Sequence, residues 1–255
     1  MTNCHLYAPK SDKLSRVAVP PAGSTLCHVL REDPELAETI PPSRRQTAIE
    51  ECVAPDTWIP PGPWPMGAWS RGTALLILDG VMIRRIGIQG RYGAELIGAG
   101  DVLRPWQREP ESTTPLQIVS DWTVVEPVHA ALLDEDFLPC LAHYPELVTG
   151  LVGRAVQRSR NLVVNIAIIH QARVDVRLHM LLWHLASRWG RVRSDGTVLP
   201  LRLTHTVLAD LVAARRPTVT SALSELSRRG LVRFNRDVWI LSGGPPAELR
   251  NPRVA

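Results

Sequence analysis

Apolar residues along this chain keep one rhythm up to Pro145 and another after it, and few architectures accommodate both. Between residues 74 and 133 they come in short runs parted by turn residues: 74–78, Asp79-Gly80, 81–86, 95–97, the Gly98-Ala99-Gly100-Asp101 turn, 116–119, 122–125 and 128–133. Runs this short, with no long helical stretch between them, predict antiparallel strands closed as a sandwich or barrel, with a hairpin turning at Asp79-Gly80. Upstream, Asp33-Pro34 reads as an N-cap followed by proline in a first helical turn. A second short helix is expected from Ser43, as cap, to about Cys52. Pro55, Pro60, Pro61, Pro63 and Pro65 then forbid any further helix before the strands.

After Pro145 the spacing becomes three and four. Leu151, Ala155, Arg158, Leu162, Asn165 and Ile169 fall along one side of a long helix, and residues 162–169 are apolar nearly all round. Such a helix is covered on two sides, by its own domain and by a second subunit. The six positions are therefore read as a dimer seam in which Asn165 fixes register; a buried core helix is the plainer alternative. The next helix, about 175–189, carries Leu178, Leu181, Leu182, Leu185 and Trp189 on one face and stops at Gly190. Ser194-Asp195-Gly196-Thr197 then marks a hairpin.

Residues 203–226 have the pattern of two helices joined by a tight turn. Thr204 caps the first, whose buried stripe is Val207, Leu208, Leu211 and Val212. Ala213-Ala214-Arg215 makes the turn. Pro217 sits in the first turn of the second helix, where its missing N–H costs nothing. Val219, Ala222, Leu223 and Leu226 face inward, which leaves Arg215, Arg216, Thr218, Thr220 and Ser221 outward near the end that enters a major groove. Residues 228–241 continue as helix end, strand, turn and strand. This is a wing that sets Arg233 and Arg236 against phosphate.

Charge agrees with that division. Ten arginines lie between Arg188 and Arg236 against Asp195, Asp210 and Glu225, a net of +7, whereas the rest of the chain is acidic by three. A basic C-terminal module on a mildly acidic N-terminal one points to a polyanion partner. No apolar run approaches the roughly 20 residues that span a bilayer, and the N-terminus lacks a secretory pattern, so a cytoplasmic protein without membrane contact is expected. Cys4, Cys27, Cys52 and Cys140 in 255 residues are not a disulfide framework, and nothing in their use indicates an oxidising compartment.

Arg216-Pro217-Thr218-Val219-Thr220-Ser221-Ala222-Leu223, Glu225-Leu226 and Arg229-Gly230-Leu231-Val232 resemble the winged-helix module of the catabolite activator (Crp–Fnr) family of bacterial transcription regulators. The resemblance takes in Arg177-Leu178, Leu182, Leu185-Ala186 and Trp189-Gly190, and extends more weakly through the long helix to Asp33-Pro34-Glu35-Leu36. It implies an α+β protein. A cyclic-nucleotide-binding-like jelly-roll effector domain over 24–145 is followed by a dimerisation helix over 146–172. A winged helix-turn-helix over 173–242 completes it, between a flexible tail at 1–23 and a C-terminal tail at 243–255. It further implies a homodimer on a palindromic operator in double-stranded DNA, with Arg216 as base reader beside Thr218 and Ser221, and RNA polymerase as a further partner.

The effector is a separate question. Relatives that bind cyclic nucleotide follow the Gly100-Asp101 turn with a Gly-Glu and an Arg-Ser-Ala stretch. Here Arg104-Pro105-Trp106-Gln107 stands instead, so cAMP is disfavoured and no cofactor is assigned; Arg104 and Trp106 are candidates to line a different pocket. The competing reading is a ligand- or redox-gated sensor, iron–sulfur or haem, with output through a protein partner. Its donors are the four cysteines, with 22, 24 and 87 residues between successive ones, or Cys27-His28 or His129. Catalysis is not expected: the barrel has no histidine between His28 and His129, and no nucleophile elbow, zincin or P-loop motif occurs.

Overall fold

The computed structural model describes residues 25–64, 74–89, 91–104, 118–235 and 237–245. The expected tail at 1–23, most of that at 243–255, Trp106 and Arg236 lie outside them. The chain runs β1 (Leu26–His28), α1 (Val29–Glu32), α2 (Pro34–Ala37), α3 (Pro42–Glu51), β2 (Val53–Ile59), β3 (Gly62–Pro63), β4 (Ala74–Ile88), β5 (Arg91–Gly98), β6 (Val102–Leu103) and β7 (Ile118–Leu133). A 3-10 turn leads into α4 (Leu138–His143), α5 (Pro145–Ile169), α6 (Val174–Trp189), β8 (Arg191–Arg193), β9 (Gly196–Leu199), α7 (His205–Leu211), α8 (Arg216–Arg228), β10 (Val232–Asn235) and β11 (Val238–Leu241).

The first sheet is antiparallel, in the order β1-β2-β7-β4-β5, with β3 on β7 and β6 on β4. Its backbone is the pair β4 and β7, and here the structure departs from the expected strand count. Asp79-Gly80 does not turn a hairpin; β4 passes straight through it for 15 residues, and 118–133 forms one strand of 16. The register between β4 and β7 shifts at Ile77/Asp79, Asp79/Val81 and Val81/Met82, so the two residues act as a bulge that bends the strand. Gly80 has φ +87°, and a Cβ there would lie 2.0 Å from the Pro127 carbonyl oxygen. Proline on the facing strand has no N–H to pair at the bulge, so each irregularity accommodates the other.

Alternate residues of β4 enter different cores. Leu75, Ile77 and Met82 point into the roll with Trp64, Ile97, Trp122 and Val124. Leu76 packs beneath α1–α3 with Leu30, Leu36, Ile40, Phe137 and Leu147. Val81 and Ile83 join a third core with α6, α7 and α8. A strand buried on both faces reads as a continuous apolar run, as residues 74–78 do.

The short helices follow the sequence closely. Asp33 caps α2, accepting from the Leu36 N–H at 3.0 Å, with Pro34 in the first turn. Helix α3 begins one residue before the expected cap, with Pro42 at the start and Pro41 preceding it, so Ser43 lies inside the helix. The cysteines differ more: Cys52 and Cys140 are joined by a disulfide, a pairing that 88 residues of separation concealed, and Cys27 is free and buried. Among the described residues no helix is long and apolar enough to cross a membrane.

Candidate nucleic-acid interface

Helix α7 begins because Thr204, in extended backbone, turns its Oγ1 to accept from the Val207 N–H at 3.2 Å. Its Val207, Leu208 and Leu211, with Val212, are buried against α6 and α8. The chain then reverses through Ala213 at φ +50°, and the Ala214 N–H donates to the Ala209 carbonyl at 2.9 Å. Helix α8 follows with Pro217 in its first turn and Val219, Ala222, Leu223 and Leu226 buried. Its orientation is thus fixed from below by four apolar side chains on one 3.6-residue face.

The opposite face is open. Arg215, Arg216, Thr218, Thr220 and Ser221 are all exposed. No carboxylate pairs with Arg215 or Arg216 among the described residues. Thr220 Oγ1 donates to the Arg216 carbonyl (3.1 Å), Ser221 Oγ to that of Pro217 (3.2 Å) and Ser224 Oγ to that of Thr220 (3.0 Å). These bonds hold the three hydroxyls against the helix backbone. His205 Nδ1 lies 2.9 Å from Thr220 Oγ1. His205 therefore joins the start of α7 to the open face of α8. It was missed in the sequence because a histidine after an N-cap has no signature of its own.

Strands β10 and β11 form the wing, with Arg233 opposite Ile240 and Phe234 opposite Trp239. Arg233 is exposed and makes a 3.5 Å contact to the Asp195 carbonyl. Phe234 leans on Trp239 at 4.6 Å between centroids. Between wing, α8 and the start of α7 lies a groove of about 660 Å³ lined by Thr204, His205, Thr220, Ser224 and Phe234. Not all of the basic cluster is free for it. Arg228 makes a two-pronged pair with Glu225 (2.8 and 2.9 Å), whose carboxyl is held below its usual range by that bond. Arg229 and Arg173 both reach Asp175, at 3.8 and 2.7 Å. Of these, Arg229 links the end of α8 to the start of α6, whereas Arg228 pairs within α8 and Arg173 within the start of α6.

This domain is docked on its own β domain. Arg85 of β4 gives its Nε–H to Asp210 of α7 at 2.7 Å and reaches Asp121 at 3.3 Å. Buried Asp101 takes Arg188 of α6 at 2.8 Å and the Gly98 N–H at 2.9 Å. The Arg202 N–H donates to Glu126 at 2.8 Å. Trp189 packs so near Gly98 that a Cβ there would sit 3.0 Å from its ring.

The long helix occupies the place expected of it, but three of the six seam positions turn the other way. Leu151 packs on the core beneath α1–α3, Arg158 is ion-paired with buried Glu95, and Asn165 donates to the Ala94 carbonyl at 3.3 Å. Polar groups on that side find partners on β5, so Arg158 and Asn165 face the chain's own domain. Ala155 and Leu162 are exposed and Ile169 is half-buried. The outward stripe is Val148, Val152, Val156, Val163 and Ile166, between 44% and 64% exposed.

Of the proposed effector residues, Arg104 is exposed just after β6. Between β5, α5 and α6 lies a pocket edged by Glu95, Arg158, Asn165 and Trp189. Cys27 is buried, His28 faces the Ile49 carbonyl at 3.1 Å, and His129 meets Asp56 at 3.1 Å beneath the Trp58 ring. Among the described residues no three His, Cys, Asp or Glu side chains are grouped to hold a metal ion.

Residues 176–242 match the Crp-like helix-turn-helix domain. A Mycobacterium tuberculosis protein described as a CRP-like cAMP-activated global transcriptional regulator is 31% identical over 124 residues, 48% of this chain. That match spans only 55% of the relative's length. Among solved structures, a CooA variant from Carboxydothermus hydrogenoformans superposes with a TM-score of 0.58 at 16% identity, over 74% of this chain and 84% of that one. A cyclic nucleotide-binding domain containing protein from Listeria monocytogenes EGD-e gives 0.58 at 15% identity, over 82% and 96%. The fold is shared at this level.

Proposed function

We propose that this chain, a Crp-type protein by its C-terminal domain and its fold, is a sequence-specific DNA-binding transcription regulator. The observation that carries the reading is α8, locked from below by four buried residues while Arg216, Thr218, Thr220 and Ser221 stand open above. On this reading Arg216 reads base edges, and Arg215, Arg233 and Arg236 neutralise phosphates. Affinity then falls with salt in proportion to the phosphates contacted.

Two copies joined along the Val148–Val152–Val156–Val163–Ile166 stripe of α5 would present two α8 helices to a palindromic operator, with half-sites about 10 bp apart centre to centre. The protein works where the chromosome is, in the cytoplasm. RNA polymerase is the partner such a regulator would influence, and no catalytic activity is assigned. The M. tuberculosis relative is described as cAMP-activated; for this chain we propose no cAMP gating, because Arg104-Pro105-Trp106-Gln107 stands where the cyclic-nucleotide-binding residues belong. An effector, if one acts, must bind the two domain arrangements with different affinity, and the Arg85–Asp210 and Arg188–Asp101 pairs are what its binding would trade against.

Selection from a random duplex pool by the purified full-length chain at physiological salt tests this. Enrichment of an inverted repeat supports the reading. Absence of DNA affinity even at low salt, with cell extract added, defeats it in favour of a sensor acting through a protein partner.

A further inference from the structure

The Cys52–Cys140 disulfide lies where the β domain meets the long helix. Cys52 ends α3 and is fully buried, whereas Cys140, in α4, is partly exposed. One turn on, Tyr144 ends α4 and opens α5, and its hydroxyl donates to Glu51 at 2.6 Å, the residue before Cys52. Arg44 of α3 donates to the His143 carbonyl at 2.6 Å and pairs with Glu146 of α5 at 3.5 Å. The joint between α3 and the start of α5 is thus held by one covalent bond and three polar contacts, and only the first depends on redox state.

A protein acting on the chromosome works among reduced thiols, where a disulfide is rare and, when present, usually responds to redox conditions. We infer that Cys52–Cys140 is a thiol–disulfide modification site, opened and closed by exchange with a low-molecular-weight thiol and its disulfide, whose state sets how firmly α3 holds the start of α5 and with it operator affinity. The inference rests on the DNA-binding reading for its compartment and its affinity readout.

Exchange proceeds from the accessible side. A thiolate RS⁻ attacks Cys140 Sγ, forming a mixed disulfide and expelling the Cys52 thiolate, which takes a proton. A second RS⁻ attacks the outer sulfur, releasing the Cys140 thiolate to be protonated and leaving RSSR. Two electrons pass to the protein, and RSSR closes the bond by the reverse path. Cys27 stays out of this. Burial, then Asp56 and Glu32, push its thiol up to about 11, so little of it is thiolate at neutral pH.

The test equilibrates the full-length chain in reduced and oxidised glutathione at graded ratios and traps free thiols by alkylation. Operator affinity and amide exchange over residues 138–150 are read from the same samples. The inference expects reversible gain of two alkylated cysteines in the folded protein, exchange faster by about tenfold when they are reduced, and an affinity change of about fivefold or more. Cys52→Ala with Cys140→Ala should hold the reduced values in every buffer; if that variant fails to fold, Cys140→Ser alone serves. A bond that resists reduced glutathione until the protein unfolds overturns the inference, as does equal amide exchange in both states, or equal affinity in a chain that does bind DNA. If neither state binds DNA but exchange still follows the thiol state, the site stands and the DNA-binding reading fails.

Discussion

Replacing Val152 and Val163 by glutamate separates the two faces of α5 by measurement. The valines are 56% and 64% exposed in one copy of the chain. Fully burying a valine contributes roughly 1.5–2 kcal/mol, so covering each of these surfaces is worth about 1 kcal/mol. Each side chain occurs twice in a symmetric dimer, which gives about 4 kcal/mol, a loss of about a thousandfold in the dimer constant. Glutamates facing each other across the seam add repulsion, so this is a lower bound. Sedimentation equilibrium reads the constant directly, and urea unfolding of the monomer should change by no more than about 0.5 kcal/mol, because neither valine touches a core. Asn165→Ala is the counterpart on the inner face. It removes a bond to Ala94 and should lower fold stability by about 1 kcal/mol while leaving dimerisation within twofold. A V152E/V163E chain that dimerises normally, beside an Asn165 variant that does not, would refute the assignment of faces.

Other perturbations reach the remaining parts of the account. Arg216→Ala should cost roughly 1–3 kcal/mol at one operator position and relax preference there, read by competition among single-base operator variants; unchanged preference removes Arg216 from base reading. Arg233→Ala should weaken all sequences alike and reduce the salt slope by about 1, and a changed sequence preference would contradict the wing's role. Gly80→Ala forces a Cβ to 2.0 Å from Pro127 at positive φ and should destabilise the β domain by about 3 kcal/mol or more in urea unfolding. A midpoint near wild type would mean that the bulge relaxes. His184 is held below its ordinary 6.5 by burial and then by Arg188, so it resists protonation when folded. The unfolded chain binds that proton more readily, so stability is fully present above pH 6.5 and declines as pH falls below it, and His184→Gln should flatten that decline.

The helix-turn-helix was legible because every signal in it is local. A cap at Thr204, a first-turn proline at 217 and two apolar stripes each determine structure within four residues. The β domain was legible in class and not in strand count. Asp-Gly has the same sequence whether it turns a hairpin or bulges a long strand, and what decides is that both halves of β4 find partners on β7. Which face of α5 turns inward was hidden for a related reason. A helix apolar all round offers two seams, and only Glu95 and the Ala94 carbonyl, supplied by a distant strand, show that Arg158 and Asn165 turn inward. The Cys52–Cys140 bond and the Arg85–Asp210 pair, 88 and 125 residues apart in sequence, leave no periodic trace at all.

The central claim is that two copies place two α8 helices on one duplex with fixed spacing. It is tested most directly by measuring affinity for the selected inverted repeat before and after inserting five base pairs between its half-sites. The account predicts two protomers per duplex and a loss of roughly a hundredfold on insertion, because the second helix then faces the wrong side of the DNA. Equal affinity for both duplexes would mean that each chain binds alone, and would contradict it.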